Sequence, residues 1–232
     1  MILSKKILSF FNSLDLNIDL PNDVEVMNPF RDIATFNLCK KFYQKYYSEN
    51  TKRHLILGIN PGRFGGGVTG IPFTDPVRLQ CVCGIENDFP KKQELSSLFV
   101  YGMIEAFGGP EMFYKRFYIS SVSPLGFTRN NKNLNYYDDK ELEKSIQNFV
   151  IDCMHKQLKF GIQTDIAFCL GEGQNFAYLS RLNAQMHFFE GIIPLPHPRF
   201  IMQYRLKRKE AYIQRYLCEM QVVSRQHRSA KG

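Results

Sequence analysis

Residues 54–75, HLILGINPGRFGGGVTGIPFTD, contain the transition that decides the fold, from an apolar run to a glycine-rich turn. The run His54–Ile59 is almost continuously apolar, which is typical of a strand covered on both faces of a sheet. Asn60-Pro61-Gly62 then turns the chain. This order predicts a parallel sheet whose ligands bind beside that turn, at the carboxyl ends of the strands.

Three later segments repeat the pattern of an apolar run that ends in loop-forming residues. They are Phe117–Val122, Ile166–Leu170 and Gly191–Leu195. Helical patterns cover residues 27–47 (from Pro29 onward), 94–107, 138–159, 173–188 and 208–222. This alternation predicts an α/β fold, a three-layer α/β/α sandwich around a central, mostly parallel four-stranded sheet.

The length of 232 residues fits one domain, which we expect over residues 1–222 with a helical N-terminal extension over 1–22. Residues 223–232 are polar and basic, and we expect a flexible tail. Lys5 and Lys6 precede an amphipathic pattern that fits a short helix better than a signal peptide. No apolar run approaches the ~20 residues that cross a bilayer. We expect a cytoplasmic monomer, associated with the nucleoid in a bacterium, that binds no membrane.

The formal net charge of +8 suits an anionic partner such as nucleic acid, although many basic proteins merely have basic surfaces. The six cysteines are scattered, and Cys81 and Cys83 form their only close pair in the sequence. Zinc and iron–sulfur sites usually show two Cys-x-x-Cys pairs or a longer series. We therefore predict reduced thiols and no metal site.

The glycines of residues 54–75 match two phosphate-binding patterns, and both matches fail in context. Gly65-x-Gly67-x-x-Gly70 matches the dinucleotide fingerprint, but Pro72 and Pro76 follow where a helix should begin. Gly62-x-x-x-x-Gly67 matches the start of a P-loop, but Val68 stands where a lysine must reach the phosphates. We therefore expect no nucleotide cofactor.

Three side chains near the predicted strand ends have chemistry of their own. Asn60 cannot be a strong base, but it can orient a water molecule, or it can simply cap its turn. Phe73 can stack on a planar ligand or pack in the core. His197, between two prolines, can donate a hydrogen bond to a developing anion, act as a general acid or cap a turn.

The segment after His197 interleaves basic and aromatic side chains. Its basic residues are Arg199, Arg205, Lys207, Arg208, Lys209 and Arg215, and its aromatic residues are Phe200, Tyr204, Tyr212 and Tyr216. Basic side chains can neutralise phosphates, and apolar side chains can enter a base stack. The run Lys207–Lys209 by itself fits a solvated helix face equally well.

Together these motifs resemble those of uracil-DNA glycosylases of the single-strand-selective monofunctional (SMUG) type. Asn60-Pro61-Gly62-x-Phe64-Gly65 and Thr69–Phe73 are similar to the family's first motif, NPGPFG…TGVPF, with the same spacing from Asn to Phe. Ser123-Pro124-Leu125 resembles its second motif, and Leu195–Pro198 resembles its closing motif. The pattern is most similar to a bacterial subgroup.

The resemblance implies a DNA glycosylase of base-excision repair that hydrolyses the N-glycosidic bond of uracil, or of other deaminated or damaged bases, after base flipping. It implies that Asn60 positions water, that Phe73 stacks on the flipped base and that His197 hydrogen-bonds the departing base. Gly62 would let DNA approach the backbone. No lysine stands at a motif position, so no lyase step, cofactor or metal is expected.

Two departures from the family pattern concern the residue that binds the base and the residue that inserts into the base stack, called the wedge. Ser121 stands where the family carries an Asn that binds the uracil edge, and its shorter hydroxyl leaves the preferred base open. The closing motif is shorter, so that the wedge entering the base stack is Arg199, Phe200, Ile201 or Met202.

Further residues are expected near DNA. Those expected to contact it are Arg63, Arg199, Phe200, Arg205 and Lys207. Asp75 is either an auxiliary carboxylate at the mouth of the site or a cap for the turn beside Pro76. The sequence leaves single- and double-stranded DNA open as substrates.

Two other functions remain open. One is a non-catalytic DNA-binding protein that kept the fold, and the other is a hydrolase of free nucleosides or nucleotides. Only a polymer substrate should depend on the basic segment after His197 and on salt.

Overall fold

The computed structural model describes the backbone of residues 1–229 and the side chains of residues 1–221. The strands in this part of the chain are β1 (Val24–Met27), β2 (Arg53–Gly58), β3 (Phe117–Ser121), β4 (Gly126–Arg129), β5 (Lys132–Leu134), β6 (Ile162–Leu170) and β7 (Gly191–Leu195).

The helices are α1 (Leu3–Asn12), α2 (Ile33–Tyr46), α3 (Gly66–Thr69), α4 (Pro76–Cys81), α5 (Leu95–Phe107), α6 (Pro110–Tyr114), α7 (Lys140–Ser145), α8 (Gln147–Leu158), α9 (Gln174–Met186), α10 (Pro198–Tyr204) and α11 (Lys209–Ser229). Short 3₁₀ turns cover Pro29–Arg31 and Leu206–Arg208. None of the described helices combines the length and apolarity that a membrane span requires.

The central sheet has the order β3-β2-β6-β7, and its three pairings are all parallel. Strands β2 and β3 are buried at every position, which is the reason for their near-continuous apolar sequence. Helices α8 and α9 pack against β6, and α6 packs against β3. The predicted α/β fold with a four-stranded parallel sheet is confirmed.

A second sheet, which the sequence did not predict, has the order β1-β4-β5 and antiparallel pairing. Its strands have only three or four residues each, and β1 and β5 are partly exposed, so the sheet lacks long apolar runs. Asn130 and Asn131, with φ angles of 49° and 58°, turn the chain between β4 and β5. Asparagine tolerates this left-handed conformation, which hairpin turns of this kind require.

The predicted helices are present, but several begin or end at residues other than those predicted. The helix predicted from Pro29 begins at Ile33, because the carboxylate of Asp32 accepts a hydrogen bond from the N–H of Thr35 at 2.8 Å and caps it there. The pattern over 138–159 forms two helices, α7 and α8. Helix α11 continues past the predicted end at 222, so the predicted flexible tail over 223–232 starts as helical backbone. Residues 230–232 lie outside the described residues.

The amphipathic pattern near the N-terminus forms the short helix α1, which packs against α2 and ends at Asn12, so the expected helical extension over 1–22 is helical only over Leu3–Asn12. It buries Leu3, Ile7, Phe10 and Phe11 in the core. The ring of Phe11 stacks on Phe30 with centroids 4.1 Å apart. Because Phe30 also lines the main cavity, the N-terminal segment supports one wall of that cavity.

Candidate active site

A cavity of about 690 Å³ opens at the carboxyl ends of the parallel strands. It is lined by residues that follow β2, β6 and β7 and by the last residues of β3. The catalytic and base-binding residues predicted from sequence, which are Asn60, Gly62, Phe73, Ser121 and His197, all line this cavity. The structure therefore brings together residues that lie up to about 140 positions apart in the chain.

The amide of Asn60 is held in one orientation by backbone groups. Its Nδ2 donates to the carbonyl oxygens of Leu134 at 3.2 Å and Pro61 at 3.3 Å, and its Oδ1 accepts from the N–H of Tyr136 at 3.1 Å. The carbonyl oxygen of an amide has a second lone pair, which leaves one acceptor position for a water molecule.

The segment that holds Asn60 is itself anchored to the central sheet. The hydroxyl of Tyr136 donates to Oδ1 of Asn175 at 2.7 Å, and Nδ2 of Asn175 donates to the carbonyl of Leu170 at 3.1 Å. Leu170 is the last residue of β6. The unpredicted β4–β5 hairpin and the residues after it thus fix the amide of Asn60 relative to the strand ends.

Phe73 has a positive φ of 54°, a strained conformation for an aromatic residue. The hydroxyl of Thr69 donates to the carbonyl of Thr74 at 2.6 Å and holds this turn. The ring lies 6.0 Å from that of His197, with 54° between their planes. A Cβ at Gly58, the last residue of β2, would be 2.9 Å from the ring, so only glycine leaves room there. Backbone strain of this kind clusters at functional sites.

His197 caps helix α10. Its Nδ1 accepts a hydrogen bond from the N–H of Arg199 at 3.1 Å, which in the neutral ring places the proton on Nε2. Burial, with a smaller effect from the charge of Arg199, lowers the pKa of His197 to about 4. The ring is therefore neutral at physiological pH and presents an N–H donor. This geometry favours the hydrogen-bond role over the general-acid role among the alternatives that the sequence left open.

Ser121 ends β3 and is buried beside the stacking platform. In the sheet register it pairs with Gly58, the residue against which the ring of Phe73 packs. No hydrogen bond engages its hydroxyl within the described residues. The hydroxyl is therefore free to donate to or accept from a ligand in the cavity.

The segment after His197, predicted as an intercalating loop, is helix α10, because His197 caps it and Pro198 fits its first turn. Ile201 is fully buried and cannot be the wedge. Met202 packs against the core and does not line the cavity. Arg199 and Phe200 do line the cavity and remain the wedge candidates.

Two exposed aromatic groups with cations beside them form what we call the rim of the cavity. The first is Phe64, which is 45% exposed, with Nζ of Lys92 4.0 Å from its ring centroid. The second is Phe200, which is 41% exposed, with the Arg205 guanidinium 5.4 Å from its ring centroid. The ring of Tyr204 lies beside that of Phe200 and also lines the cavity. Sequence reasoning assigned no role to Phe64 and missed Lys92, because cation–π pairs between distant residues have no sequence signature.

Of the other predicted DNA contacts, Arg63 lies beside the rim and Lys207 lies outside the cavity lining. The guanidinium of Arg63 is 5.8 Å from the ring of Phe64. Lys207 is exposed on the 3₁₀ turn after α10, outside the cavity lining. At Gly62 a Cβ would meet Nδ2 of Asn133 at 3.2 Å, so glycine lets the turn pass close to the hairpin.

The placement of Asp75 at the mouth of the site is wrong, and the alternative of a cap is confirmed. Asp75 is fully buried outside the cavity lining, and its Oδ1 accepts from the N–H of Arg78 at 2.8 Å to cap α4. Its Oδ2 accepts from the N–H of Glu94 at 3.0 Å.

Glu94 has no functional signal in the sequence, yet its carboxyl group lines the cavity. Burial and the nearby charge of Asp75 raise its pKa to about 7, against the opposing effect of Arg199. Within the described residues no group of three or more His, Cys, Asp or Glu side chains is placed to hold a metal ion.

Comparisons with known proteins agree with this geometry. The family model described as the uracil DNA glycosylase superfamily matches residues 44–221. The chain is also similar to the crystal structure of wild-type SMUG2 from Pedobacter heparinus, with a TM-score of 0.95 and 48% sequence identity. That similarity covers 97% of this chain and 99% of the other.

These matches confirm the predicted fold and the predicted activity. The protein is a monofunctional DNA glycosylase that hydrolyses the N-glycosidic bond of uracil in base-excision repair. The chain belongs to the uracil DNA glycosylase superfamily.

Proposed function

We propose that Asn60, Phe73, Ser121 and His197 together carry uracil excision in this chain, as a bacterial SMUG-type enzyme. The observation that supports this most is their convergence in one cavity, with the amide of Asn60 fixed by backbone groups and the rings of Phe73 and His197 adjacent. A target base flipped into this cavity would stack on Phe73 and lie beside the neutral ring of His197.

The chemistry follows from where charge develops. As the bond between the base and C1′ lengthens, the sugar gains cationic character and the base leaves as an anion. The neutral Nε2–H of His197 would donate to that anion, which is electrostatic stabilisation and not proton transfer. The free acceptor position of Asn60 would hold the attacking water near C1′.

Ser121 would contact the edge of the base. A hydroxyl both donates and accepts, whereas an amide presents a separate donor and acceptor in fixed positions. We therefore propose that the site accepts uracil and also other deaminated bases.

The rim would bind the DNA strand on both sides of the flipped nucleotide. Phe64 and Phe200 would stack on neighbouring bases, and the cations Arg63, Lys92, Arg199 and Arg205 would neutralise phosphates. We propose that the chain acts as a monomer, since all of these groups belong to one copy.

An excision assay tests the proposal. Purified protein is incubated with oligonucleotides, single- and double-stranded, that carry uracil, hypoxanthine, xanthine or an oxidised pyrimidine, and alkali then cleaves any abasic site. We expect alkali-labile sites at uracil for the wild type, and a loss on the order of 10²-fold for Asn60→Ala with DNA binding retained. Full activity of Asn60→Ala would refute its role.

Two outcomes would favour the alternative functions. Gel-shift binding without any abasic product would indicate a non-catalytic DNA-binding protein. Release of uracil from free deoxyuridine as fast as from DNA, with no dependence on salt, would indicate a nucleoside hydrolase.

A further inference from the structure

Glu94 is a carboxyl group in the cavity that lacks a partner of its own. The other described carboxylates of the lining, Asp138 and Glu172, are engaged: Asp138 accepts from the N–H of Asn135 at 2.9 Å, and Glu172 pairs with Arg215 at 2.6 Å. Within the described residues no hydrogen bond or ion pair holds the carboxylate of Glu94. A polar group left unpaired beside a cavity is placed to meet a ligand or water.

The position of this carboxylate is set by its surroundings. Glu94 directly precedes α5, yet its side chain does not cap that helix. Its N–H is held by the buried carboxylate of Asp75. A Cβ at Gly65 would lie 1.9 Å from Oε2 of Glu94, so the carboxylate occupies the space that a side chain at Gly65 would need. Glu94 therefore packs against Gly65, which precedes α3, and it lines the same cavity as Asn60.

Two charged groups face Glu94 from other elements. Asp75 lies at the start of α4 and Arg199 at the start of α10. Burial and Asp75 raise the pKa of Glu94, and Arg199 lowers it, with a result of about 7. A proton acceptor works best when its pKa lies near the working pH. Asn60 cannot take this part, since an amide does not accept a proton from water.

We propose that Glu94 accepts the proton of the water that Asn60 positions, an inference that rests on the glycosylase roles proposed above. The water oxygen forms a bond to C1′ as the bond from C1′ to the base nitrogen breaks, and the electron pair of that bond leaves with the base. The proton of the water passes to the carboxylate of Glu94, which later releases it to solvent. The departing base takes a proton from solvent. The ionised carboxylate also offsets the positive charge on the sugar.

The test measures single-turnover excision of uracil from a single-stranded oligonucleotide at saturating enzyme, from about pH 5 to about pH 9, a range that brackets the working pH of a general base. The wild-type rate is expected to rise with pH through about 7 and then level off, because only the ionised carboxylate accepts a proton. Glu94→Gln is expected to be slower at high pH by about 10²-fold or more and to lack this rise.

Controls separate this role from a structural one. Glu86→Gln removes an exposed carboxylate outside the cavity and should keep the wild-type rate and pH profile. Arg199→Gln should move the rise to higher pH, because Arg199 lowers the pKa of Glu94. This shift does not depend on the folding of Glu94→Gln, whose melting temperature is recorded in parallel.

The outcomes are distinct. A wild-type rate and pH profile in Glu94→Gln would overturn the proposal, and so would a slow variant that keeps the rise near neutral pH. A rise that stays in place in Arg199→Gln would also overturn it. A wild-type enzyme that releases no base at all would overturn the proposed site roles themselves, before any variant is compared.

Discussion

We call Asn60, Phe73 and His197 the floor of the cavity, and these side chains are fixed in position whereas those of the rim are exposed. On the floor, Asn60 is fixed by backbone hydrogen bonds, Phe73 is held in a strained turn and His197 caps a helix. On the rim, Phe64 and Phe200 are exposed, and each ring has a cation beside it. A reaction needs fixed geometry, whereas a flexible polymer needs charge and stacking surface that tolerate many sequences. We therefore expect floor variants to lose chemistry and rim variants to lose binding.

The largest expected effect is on the floor. His197→Ala removes the donor to the departing base, so we expect the single-turnover excision rate to fall about 10²–10³-fold while DNA binding is retained. Because the pKa of His197 is about 4, its ring stays neutral above that pH and contributes no change in rate near pH 6.5. If His197→Ala weakens DNA binding in the gel shift but leaves the excision rate unchanged, His197 contributes to DNA binding and not to the chemical step.

The next effect is on the rim. Phe64→Ala removes one stacking surface, and base–aromatic stacking contributes ~1–3 kcal/mol per base, so the Kd for single-stranded DNA should rise roughly 5- to 150-fold. At saturating enzyme the excision rate should remain near that of the wild type. Phe64→Tyr, which keeps the ring, is the matched control. If Phe64→Ala instead slows excision at saturating enzyme, the expectation that rim residues affect only DNA binding is contradicted.

A smaller effect concerns charge on the rim. Lys92→Gln removes one cation beside Phe64, so the slope of log Kd against log salt should decrease by about 0.7 for single strands. The affinity should fall similarly for every DNA sequence, because phosphates carry no base identity. Lys140→Gln, a substitution outside the cavity lining, should leave the slope unchanged. Equal slopes for wild type and Lys92→Gln would exclude a phosphate contact.

The smallest effect is on stability, at Glu94. Its pKa is raised to about 7 in the folded chain from an ordinary 4.5, so the folded state becomes less stable as pH rises between these values and stays so above them. Glu94→Gln should therefore melt a few degrees higher than wild type at pH 8, since about 1 kcal/mol corresponds to ~2–4 °C in a domain of this size. Below pH 4.5 the two should melt alike. Thermal unfolding by circular dichroism measures both, and equal melting temperatures at pH 8 would contradict the raised pKa.

Much of the floor was predictable because its signals are local. The apolar runs of β2, β3, β6 and β7 required burial on both faces, and this requirement fixed a parallel sheet with ligands at its carboxyl ends. Asn60 and His197 follow two of those strands directly. Their meeting in one cavity was therefore implied by strand order, before any side-chain contact was known.

The sequence by itself determined the fold class, the family and the residues of the floor, because burial patterns and turn residues are properties of short segments. Only the tertiary structure decided that Asp75 caps α4 while Glu94 lies in the cavity, and that a short hairpin holds Asn60. Which carboxylate is buried and which backbone group meets a side chain depend on packing between segments distant in the chain. A local pattern does not encode that packing.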